Sequence, residues 1–231
     1  SASSNEPEVS LSPSDVAVMI YTGGTTGVPK GCPLTHQMLI WAQYFFYSFL
    51  APRLGDARSM TSLLTSPMTH AYGMDFGVNW GIVIGGKVVI AHSLDGPTIL
   101  QLIRKQQVTV WGAVPAMIDL FCEELERLGG EVPSLAVAVV SCAAASSSVL
   151  DRFCRLCEHV TLVQDYGMTE TSGPVTLTPV VRGMNRGSVG VPVENTDILV
   201  VDLETGTVPV PQGECGEIIF RGPQIIGEYW K

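Results

Sequence analysis

Residues 21–31 have the sequence Tyr21-Thr22-Gly23-Gly24-Thr25-Thr26-Gly27-Val28-Pro29-Lys30-Gly31. They follow an apolar run that starts at Val16 and is typical of a buried strand, so the glycines begin where that strand reaches the rim of a sheet. Ligands of α/β proteins bind at this rim. Glycines let the backbone approach a ligand closely, and the amides, threonine hydroxyls and Lys30 ammonium supply many donors and almost no anionic acceptors. The stretch therefore predicts a loop that binds phosphate.

This loop differs from the GxxxxGK[ST] phosphate loop, in which the lysine directly follows a glycine and opens a helix. Here Pro29 separates Gly27 from Lys30 and supplies no N–H, and Pro33 prevents a helix from starting at once. We therefore expect a flexible flap over a polyphosphate. A mobile glycine-rich turn without a ligand is the alternative, because such loops are weak indicators when taken alone.

The composition restricts the class of protein. A chain of 231 residues that is 46% hydrophobic and 15% charged can bury a sizeable core. Its net charge of −9 argues against a nucleic-acid groove or an anionic membrane surface as partner. No apolar run approaches transmembrane length, and residues 1–13 lack the pattern of a signal peptide. We expect a soluble cytoplasmic protein that binds small molecules, and the sequence does not indicate its oligomeric state.

Strands and helices alternate between residues 15 and 178. Strands are predicted at 16–21, 60–66, 87–91, 108–113, 136–141 and 160–164, and helices at 35–50, 74–84, 98–107, 115–128 and 148–157. This alternation predicts an α/β fold with a mainly parallel sheet and helices on both faces. After residue 179 two short strands, 196–201 and 217–221, are separated only by turns. We therefore expect a polar lead-in over 1–14, an α/β subdomain over 15–178 and a small β subdomain over 179–231.

The six cysteines are scattered, and several lie inside apolar patterns, as is typical of reduced thiols packed in a core. Cys154 and Cys157, followed by His159, raise the alternative of a zinc site. No second pair completes four ligands, and Val149 and Phe153 share helical spacing with this segment. Packing of these thiols on a helix is the favoured interpretation.

A second polar stretch also follows an apolar strand: Gln164-Asp165-Tyr166-Gly167-Met168-Thr169-Glu170-Thr171. An aromatic face suits a purine. A carboxylate suits Mg²⁺, which takes few protein ligands when phosphates supply the others. An ordinary exit from a strand, with a surface glutamate, is the alternative for this stretch taken alone.

These stretches resemble the adenylate-forming superfamily, which comprises acyl- and aryl-CoA synthetases, firefly-type luciferases and the amino-acid adenylation domains of peptide synthetases. Residues 21–31 resemble its phosphate loop, with Gly23 where a serine is usual, and residues 164–171 resemble its YGxTE motif. Residues 67–73, with the sequence PMTHAYG, resemble the PxxHxxG segment of CoA synthetases. Residues 141–145 stand where the family has an adenine-contacting Ser-Gly-Ala-Ala-Pro-like loop, but Cys142 replaces the glycine and Ala145 the proline. Residues 187–192 and 216–222 match family segments of structural role.

The resemblance implies a role for each matching residue. Tyr166 would stack on adenine, Thr169 would hydrogen-bond the α-phosphate and Glu170 would hold Mg²⁺. His70 would help to position the acid without acting as a general base. The expected nucleotide contacts are Thr22, Gly23, Gly24, Thr25, Thr26, Gly27, Lys30, Ala143, Ala144, Asp165, Tyr166, Gly167 and Thr169. The residues expected to act in catalysis are Lys30, His70, Thr169 and Glu170, and the expected acyl pocket consists of His70, Tyr72, Met74, Val78, Trp111, Gly112 and Ala113.

The implied activity is that of an AMP-forming ligase, which uses ATP and Mg²⁺ to convert a carboxylic acid to an acyl-adenylate and then transfers the acyl group to CoA. The resemblance covers residues 15–230, the middle of a full enzyme, so poor turnover is expected of this chain alone. The ribose-binding Asp and the lid lysine of the family have no counterpart in it. Two alternatives remain: an amino-acid adenylation domain, with Asp75 facing the substrate ammonium despite a poorly matching context, and a non-catalytic nucleotide-binding or interaction module.

Overall fold

The computed structural model describes residues 9–23, 28–181 and 185–230. Its strands are β1 Val16–Thr22, β2 Lys30–Thr35, β3 Thr61–Leu64, β4 Lys87–Ile90, β5 Val110–Ala113, β6 Val137–Val140, β7 Thr161–Met168, β8 Gly173–Leu177, β9 Val191–Pro192, β10 Asp197–Val201 and β11 Glu217–Arg221. Its α-helices are α1 His36–Leu54, α2 Trp80–Ile84, α3 Gly96–Gln106, α4 Pro115–Leu128 and α5 Ser147–Leu156. A π-helix, Gly73–Asn79, leads directly into α2, and 3₁₀ turns span Ala57–Ser59 and Thr169–Thr171.

The main sheet has seven strands in the order β4-β3-β5-β6-β7-β8-β9. The pairs from β4 to β7 are parallel, whereas β8 and β9 add antiparallel strands at one edge. The predicted α/β class with a mainly parallel sheet is therefore confirmed. Because the central strands are parallel, their carboxyl ends meet at one edge, where the segments that follow them come together.

The two faces of this sheet carry separate cores because side chains alternate along each strand. Trp111 of β5 packs with Phe121 of α4 and Phe153 of α5 in one core. Its neighbour Val110 packs on the other face with Phe46 of α1. The central strands are apolar on both sides, as helices on both faces require.

The first strand differs from the prediction. β1 is paired with β2 alone, in an antiparallel hairpin outside the main sheet, and Ile20 is its one buried residue. The prediction of a buried strand at the rim of the main sheet was wrong, because an apolar run does not distinguish a hairpin strand packed on one side from a strand inside a sheet. The hairpin buries Ile20, Cys32 and Leu34 against Met38 and Ala71.

Strand β7 is longer than predicted. It continues through Asp165 to Met168 because β8 pairs with it antiparallel. Gly173 and Pro174 begin β8, and both residue types are poor indicators of a strand, so this pairing was not predicted. The two strands predicted after residue 179 correspond to β10 and β11, which form a separate two-stranded sheet.

No helix within the described ranges combines the length and the hydropathy that a membrane crossing requires.

Candidate active site

A cavity of about 230 Å³ opens at the carboxyl edge of the main sheet. Six parts of the chain meet there: the end of β1, helix α1, the segment from residue 70 into the π-helix, the turn after β6, the end of β7 with the 3₁₀ turn that follows, and the start of β8. The lining residues are Thr22, Phe46, His70, Ala71, Tyr72, Asp75, Ser141, Cys142, Asp165, Gly167, Met168, Thr169, Glu170 and Gly173. Two stretches far apart in sequence, 21–31 and 164–171, thus contribute to the same cavity.

The cavity contains seven residues that the sequence assigned to a site: Thr22, His70, Tyr72, Asp165, Gly167, Thr169 and Glu170. Gly24, Thr25, Thr26 and Gly27 lie outside the described residues. The other assigned residues are not among the lining residues: Gly23, Lys30, Met74, Val78, Trp111, Gly112, Ala113, Ala143, Ala144 and Tyr166.

Two of the expected pocket residues lie on the face of the sheet that points away from the cavity. Trp111 and Ala113 are fully buried in the core beneath α3, α4 and α5. The indole Nε1 of Trp111 donates a hydrogen bond to Thr65 Oγ1 at 3.2 Å, and its ring lies 5.2 Å from that of Phe121. The expectation that they line the cavity is therefore corrected, because strand alternation turns them away from it.

Gly112 supports the cavity wall without lining it. A Cβ placed there would lie 2.5 Å from the Phe76 ring and 2.9 Å from the Tyr72 hydroxyl. The absence of a side chain thus lets Tyr72 and Phe76 pack against β5 with their rings stacked at 5.6 Å. The Tyr72 hydroxyl donates to the Val139 carbonyl oxygen at 3.1 Å, which fixes this wall.

His70 is held by the backbone around it. The Tyr72 amide donates a hydrogen bond to His70 Nδ1 at 3.2 Å, and the His70 amide donates to the Pro67 carbonyl oxygen at 3.0 Å. Since Nδ1 accepts, the proton of a neutral imidazole is on Nε2. His70 can therefore donate a hydrogen bond from Nε2 to a ligand in the cavity.

Two carboxyl groups in the cavity are almost fully buried. Burial raises the pKa of Asp75 to about 7, and a hydrogen bond from Asn79 opposes this rise. Burial also raises the pKa of Asp165 to about 7, against the opposing effect of the Ser141 hydroxyl. Within the described ranges, Oδ2 of Asp75 and Oδ1 of Asp165 have no hydrogen-bond partner. Both oxygens are thus buried without a hydrogen bond, which contributes to the cost of ionising these carboxyl groups.

Tyr229 contacts one residue from each of the two polar stretches, 21–31 and 164–171. Its hydroxyl donates a hydrogen bond to Glu170 Oε1 at 2.8 Å, and the Lys30 Nζ lies 4.9 Å from the centroid of its ring. The hydrogen bond to Glu170 is the main cause that raises the pKa of Tyr229 to about 12. The Trp230 amide donates to the Gly31 carbonyl oxygen at 2.8 Å, which ties this segment to β2. Lys30 and Glu170 therefore lie on the same side of the molecule.

The turn after β6 keeps an unusual backbone conformation. Cys142 has a φ of +69°, in the left-handed region that favours glycine. Ala143 and Ala144, which were expected to contact adenine, are exposed beside the cavity, whereas Ser141 and Cys142 line it.

Tyr166, which was expected to stack on adenine, packs near the other sheet: its ring lies 6.0 Å from that of Phe220 in β11.

Several lining residues could not be predicted from the sequence. Phe46 comes from α1, whose side chains are apolar on nearly all sides, and such a helix packs on more than one neighbour. An apolar surface on all sides predicts burial of a helix but does not show which cavity its side chains reach. Met168 and Gly173 line it because β7 and β8 form a hairpin around the 3₁₀ turn, and this hairpin was not predicted.

The donor set around Glu170 fits a magnesium site that is completed by phosphate. Mg²⁺ is bound in nucleotide sites by one or two carboxylates together with phosphate oxygens and water. Glu170 supplies a carboxylate next to Thr169 and Thr22, and its other carboxylate oxygen is not engaged by Tyr229.

Comparison with known proteins identifies the family. Residues 1–230 match the model of the AMP-binding enzyme family, so the chain belongs to that family. Among curated relatives, the long-chain-fatty-acid–CoA ligase of Bacillus subtilis (strain 168) is 32% identical over 220 residues, which cover 94% of this chain and 38% of that protein. The chain thus spans about two fifths of the length of this relative.

Solved structures agree with this assignment. A long-chain-fatty-acid-CoA ligase from Archaeoglobus fulgidus is similar with a TM-score of 0.86 and 30% identity, over 99% of this chain and 46% of that one. The o-succinylbenzoate coenzyme A synthetase of Bacillus subtilis, in complex with ATP and magnesium ion, is similar with a TM-score of 0.82 and 26% identity, over 99% of this chain and 46% of that one. The structural neighbours are therefore adenylate-forming enzymes.

Proposed function

We propose that the protein of which this chain is part activates a carboxylic acid with ATP and transfers the acyl group to the thiol of CoA. One observation carries the proposal: Thr22 from β1 and Glu170 from the turn after β7 line one cavity, and Lys30 and Glu170 both contact Tyr229. The family, and relatives named as CoA ligases, support the same activity. They favour it over amino-acid loading of a carrier protein and over a non-catalytic module.

The reaction has two displacements. An oxygen of the acid carboxylate attacks the α-phosphorus of ATP in line, the bond from this phosphorus to the bridging oxygen breaks, and pyrophosphate leaves. The thiolate of CoA then attacks the acyl carbon, and AMP leaves. Both steps depend mainly on positioning and on stabilisation of charge.

Each residue near the cavity has a role in this proposal. The hydroxyls of the 21–31 loop and the Lys30 ammonium bind the β- and γ-phosphates, and Thr169 orients the α-phosphate. Glu170 holds Mg²⁺, which neutralises charge on the phosphate oxygens when it is bound. His70 donates from Nε2 and positions the acid carboxylate. Asp165 accepts hydrogen bonds at the nucleotide side, and Tyr166 offers a ring face to the adenine.

Tyr72 and Phe46 form the apolar wall of the proposed acyl pocket. Burial of the acyl group against these rings would strengthen binding of the acid, separately from the attack of its carboxylate on the α-phosphorus. Their chemistry suits alkyl and aryl acids.

Carboxylate-dependent exchange of labelled pyrophosphate into ATP tests this function in the full-length protein. We expect exchange with simple alkyl or aryl acids and a loss of at least about 100-fold in Glu170→Gln, a range typical of removing one group that stabilises developing charge. Glu123→Gln changes an exposed glutamate on α4, remote from the cavity, and serves as the matched control. Absence of exchange with every acid, or equal rates in both variants, would contradict the proposal.

A further inference from the structure

Tyr229 contacts two side chains of opposite charge at the proposed phosphate site, each with a different part of its ring. Its hydroxyl donates to Glu170 Oε1 at 2.8 Å, and the Lys30 Nζ lies 4.9 Å from the ring centroid. An ammonium at this distance from an aromatic ring makes a cation–π contact. Neither Lys30 nor Glu170 belongs to an ion pair within the part of the chain that the structure describes. Tyr229 is therefore a partner that the two opposite charges share.

The backbone on both sides of Tyr229 is anchored to the elements that carry these charges. The Ile226 amide donates to the Glu170 carbonyl oxygen at 2.9 Å, and the Trp230 amide donates to the Gly31 carbonyl oxygen at 2.8 Å. A Cβ at Gly31 would lie only 3.2 Å from the Trp230 Cβ, so the glycine lets this segment approach β2 closely. Hydrogen bonds that do not involve the Tyr229 side chain thus hold it in place.

A buried side chain fixes the start of the same segment. Gln224 is buried, and its Nε2 donates to Thr196 Oγ1 at 2.9 Å. Tyr229 itself is 37% exposed, so its side chain contributes little to the core. A change of this side chain should therefore leave the path of the backbone intact.

Lys30 and Glu170 would attract each other directly if the ring were absent. Both charges lie within reach of one side chain, and a lysine ammonium on its flexible four-carbon stem can move to a nearby carboxylate. A direct pair would have to break each time a triphosphate binds Lys30 and a metal binds Glu170. Charged groups that are already held apart avoid this cost, which is the general advantage of preorganisation.

The contacts of Tyr229 leave both charges able to bind a ligand. The hydroxyl engages one carboxylate oxygen of Glu170, and the other oxygen is not engaged by Tyr229. An ammonium has three N–H donors, and a contact with one ring face leaves donors for phosphate oxygens. Both contacts can therefore persist when nucleotide and metal are bound.

We propose that Tyr229 is a positioning residue whose ring keeps Lys30 and Glu170 from pairing with each other, so that both charges remain available to the magnesium-bound triphosphate. This inference rests on the proposed function and adds a residue to its phosphate site. The role of the ring is separate from that of the hydroxyl, which acts on Glu170 alone.

Binding of ATP to the full-length protein without metal, measured by calorimetry in the presence of EDTA, tests the role of the ring. Without metal, Glu170 has no ligand to hold, and the affinity reports on Lys30 and on any group that competes for it. Tyr229→Ala should weaken this binding by about 2- to 5-fold, the range of an exposed ion pair. Tyr229→Phe keeps the ring and should bind as the wild-type protein does. Tyr47→Ala, at an exposed tyrosine of α1, is the control and should also leave binding unchanged.

A second substitution assigns the loss to Glu170. Glu170→Gln removes the charge that competes for Lys30. Tyr229→Ala should therefore have no effect on metal-free ATP binding when it is combined with Glu170→Gln. A ring that only supported the local packing would cost the same affinity in both backgrounds.

A crystal structure of the ligand-free Tyr229→Ala protein gives a readout that depends on neither activity nor binding. We expect the Lys30 Nζ within about 4 Å of a Glu170 carboxylate oxygen, the separation of an ion pair. A Lys30 side chain that stays apart from Glu170 would overturn the proposal, including the case in which metal-free ATP binding is too weak for calorimetry.

The outcomes separate this inference from the proposed function. If Tyr229→Ala binds metal-free ATP as the wild-type protein does, or loses as much affinity in the Glu170→Gln background, the inference is wrong and the ligase activity stands. Equal losses in Tyr229→Ala and Tyr229→Phe would also overturn it, because they would assign the effect to the hydroxyl. If no acid supports pyrophosphate exchange in the wild-type protein, the proposed function fails and the inference fails with it.

Discussion

The hydroxyl of Tyr229 donates a hydrogen bond of 2.8 Å to Glu170, a residue 59 positions earlier in the chain. The same ring lies under the Lys30 ammonium, so one side chain contacts both charged groups that the proposed mechanism assigns to the triphosphate. A backbone hydrogen bond also links this segment to Glu170, since the Ile226 amide donates to the Glu170 carbonyl oxygen at 2.9 Å. Tyr229 is therefore expected to position Glu170.

Tyr229→Phe should weaken magnesium-dependent pyrophosphate exchange by about 3- to 10-fold, because it removes one solvent-exposed hydrogen bond while keeping the ring under Lys30. The measurement is the Mg²⁺ concentration that gives half-maximal exchange. Tyr47→Phe, at an exposed tyrosine of α1, is the control and should behave as the wild-type protein. An unchanged Mg²⁺ dependence in Tyr229→Phe would show that Tyr229 does not position Glu170.

Cys142→Gly should stabilise the protein by about 0.5–1 kcal/mol. A left-handed backbone costs a residue with a Cβ roughly 1–2 kcal/mol, and glycine would relieve this cost. Glycine also has more conformational entropy in the unfolded chain, which offsets part of the stabilisation. Urea unfolding measures the difference, with Cys142→Ala as a control that keeps the Cβ and should change little. A Cys142→Gly protein less stable than wild type would show that the φ of +69° at this position is not strained.

Asp75→Asn should raise stability more at pH 8 than at pH 5.5. Burial raises the pKa of Asp75 from an ordinary value of 3.8 to about 7 in the folded protein. Its contribution to stability is therefore complete below pH 3.8 and is lost as the pH rises to about 7. The advantage of the variant should grow by about 2 kcal/mol between pH 5.5 and 8, since one pKa unit corresponds to about 1.4 kcal/mol.

Urea unfolding of the wild-type and Asp75→Asn proteins at both pH values measures this growth. The lower pH, 5.5, is kept above the isoelectric point of 4.8, because near that point the chain carries little net charge and tends to precipitate. Equal differences at the two pH values would mean that Asp75 has an ordinary pKa in the folded state.

Gly112→Ala should destabilise the protein by about 1–3 kcal/mol, the usual cost of adding volume to a packed interior. The new Cβ would meet Phe76 at 2.5 Å and would push the Tyr72 and Phe76 rings towards the cavity. Thermal unfolding measures the effect. Gly227→Ala is the control, because a Cβ there meets no atom within 4 Å. Equal melting temperatures for wild type and Gly112→Ala would contradict this packing.

The parallel sheet could be predicted because its central strands are continuous apolar runs separated by helices with a clear period. The hairpin of β1 and β2 could not, because Lys30, Gly31 and Pro33 are poor strand formers and pair only through their neighbour β1. β8 was not predicted for the same reason, because it begins with Gly173 and Pro174, which are poor strand formers. In both cases tertiary pairing overrides local preference.

The family motifs correctly predicted residues on one side of the cavity: Thr22, Thr169 and Glu170 line it. Trp111 and Ala113 were misassigned because a sequence shows that strand side chains alternate but does not show which set faces the ligand. The burial of Asp75, with Oδ2 lacking a hydrogen-bond partner among the described residues, depends on how the π-helix packs, and no sequence pattern predicts that packing.

The most direct measurement is a double-mutant cycle of Lys30→Met and Glu170→Gln, with binding of ATP·Mg²⁺ to the full-length protein measured by calorimetry. If both residues serve one magnesium-bound triphosphate, the two losses should be non-additive by about 1 kcal/mol or more, as for groups in one network. Additive losses, or unchanged binding in either single variant, would contradict a shared site.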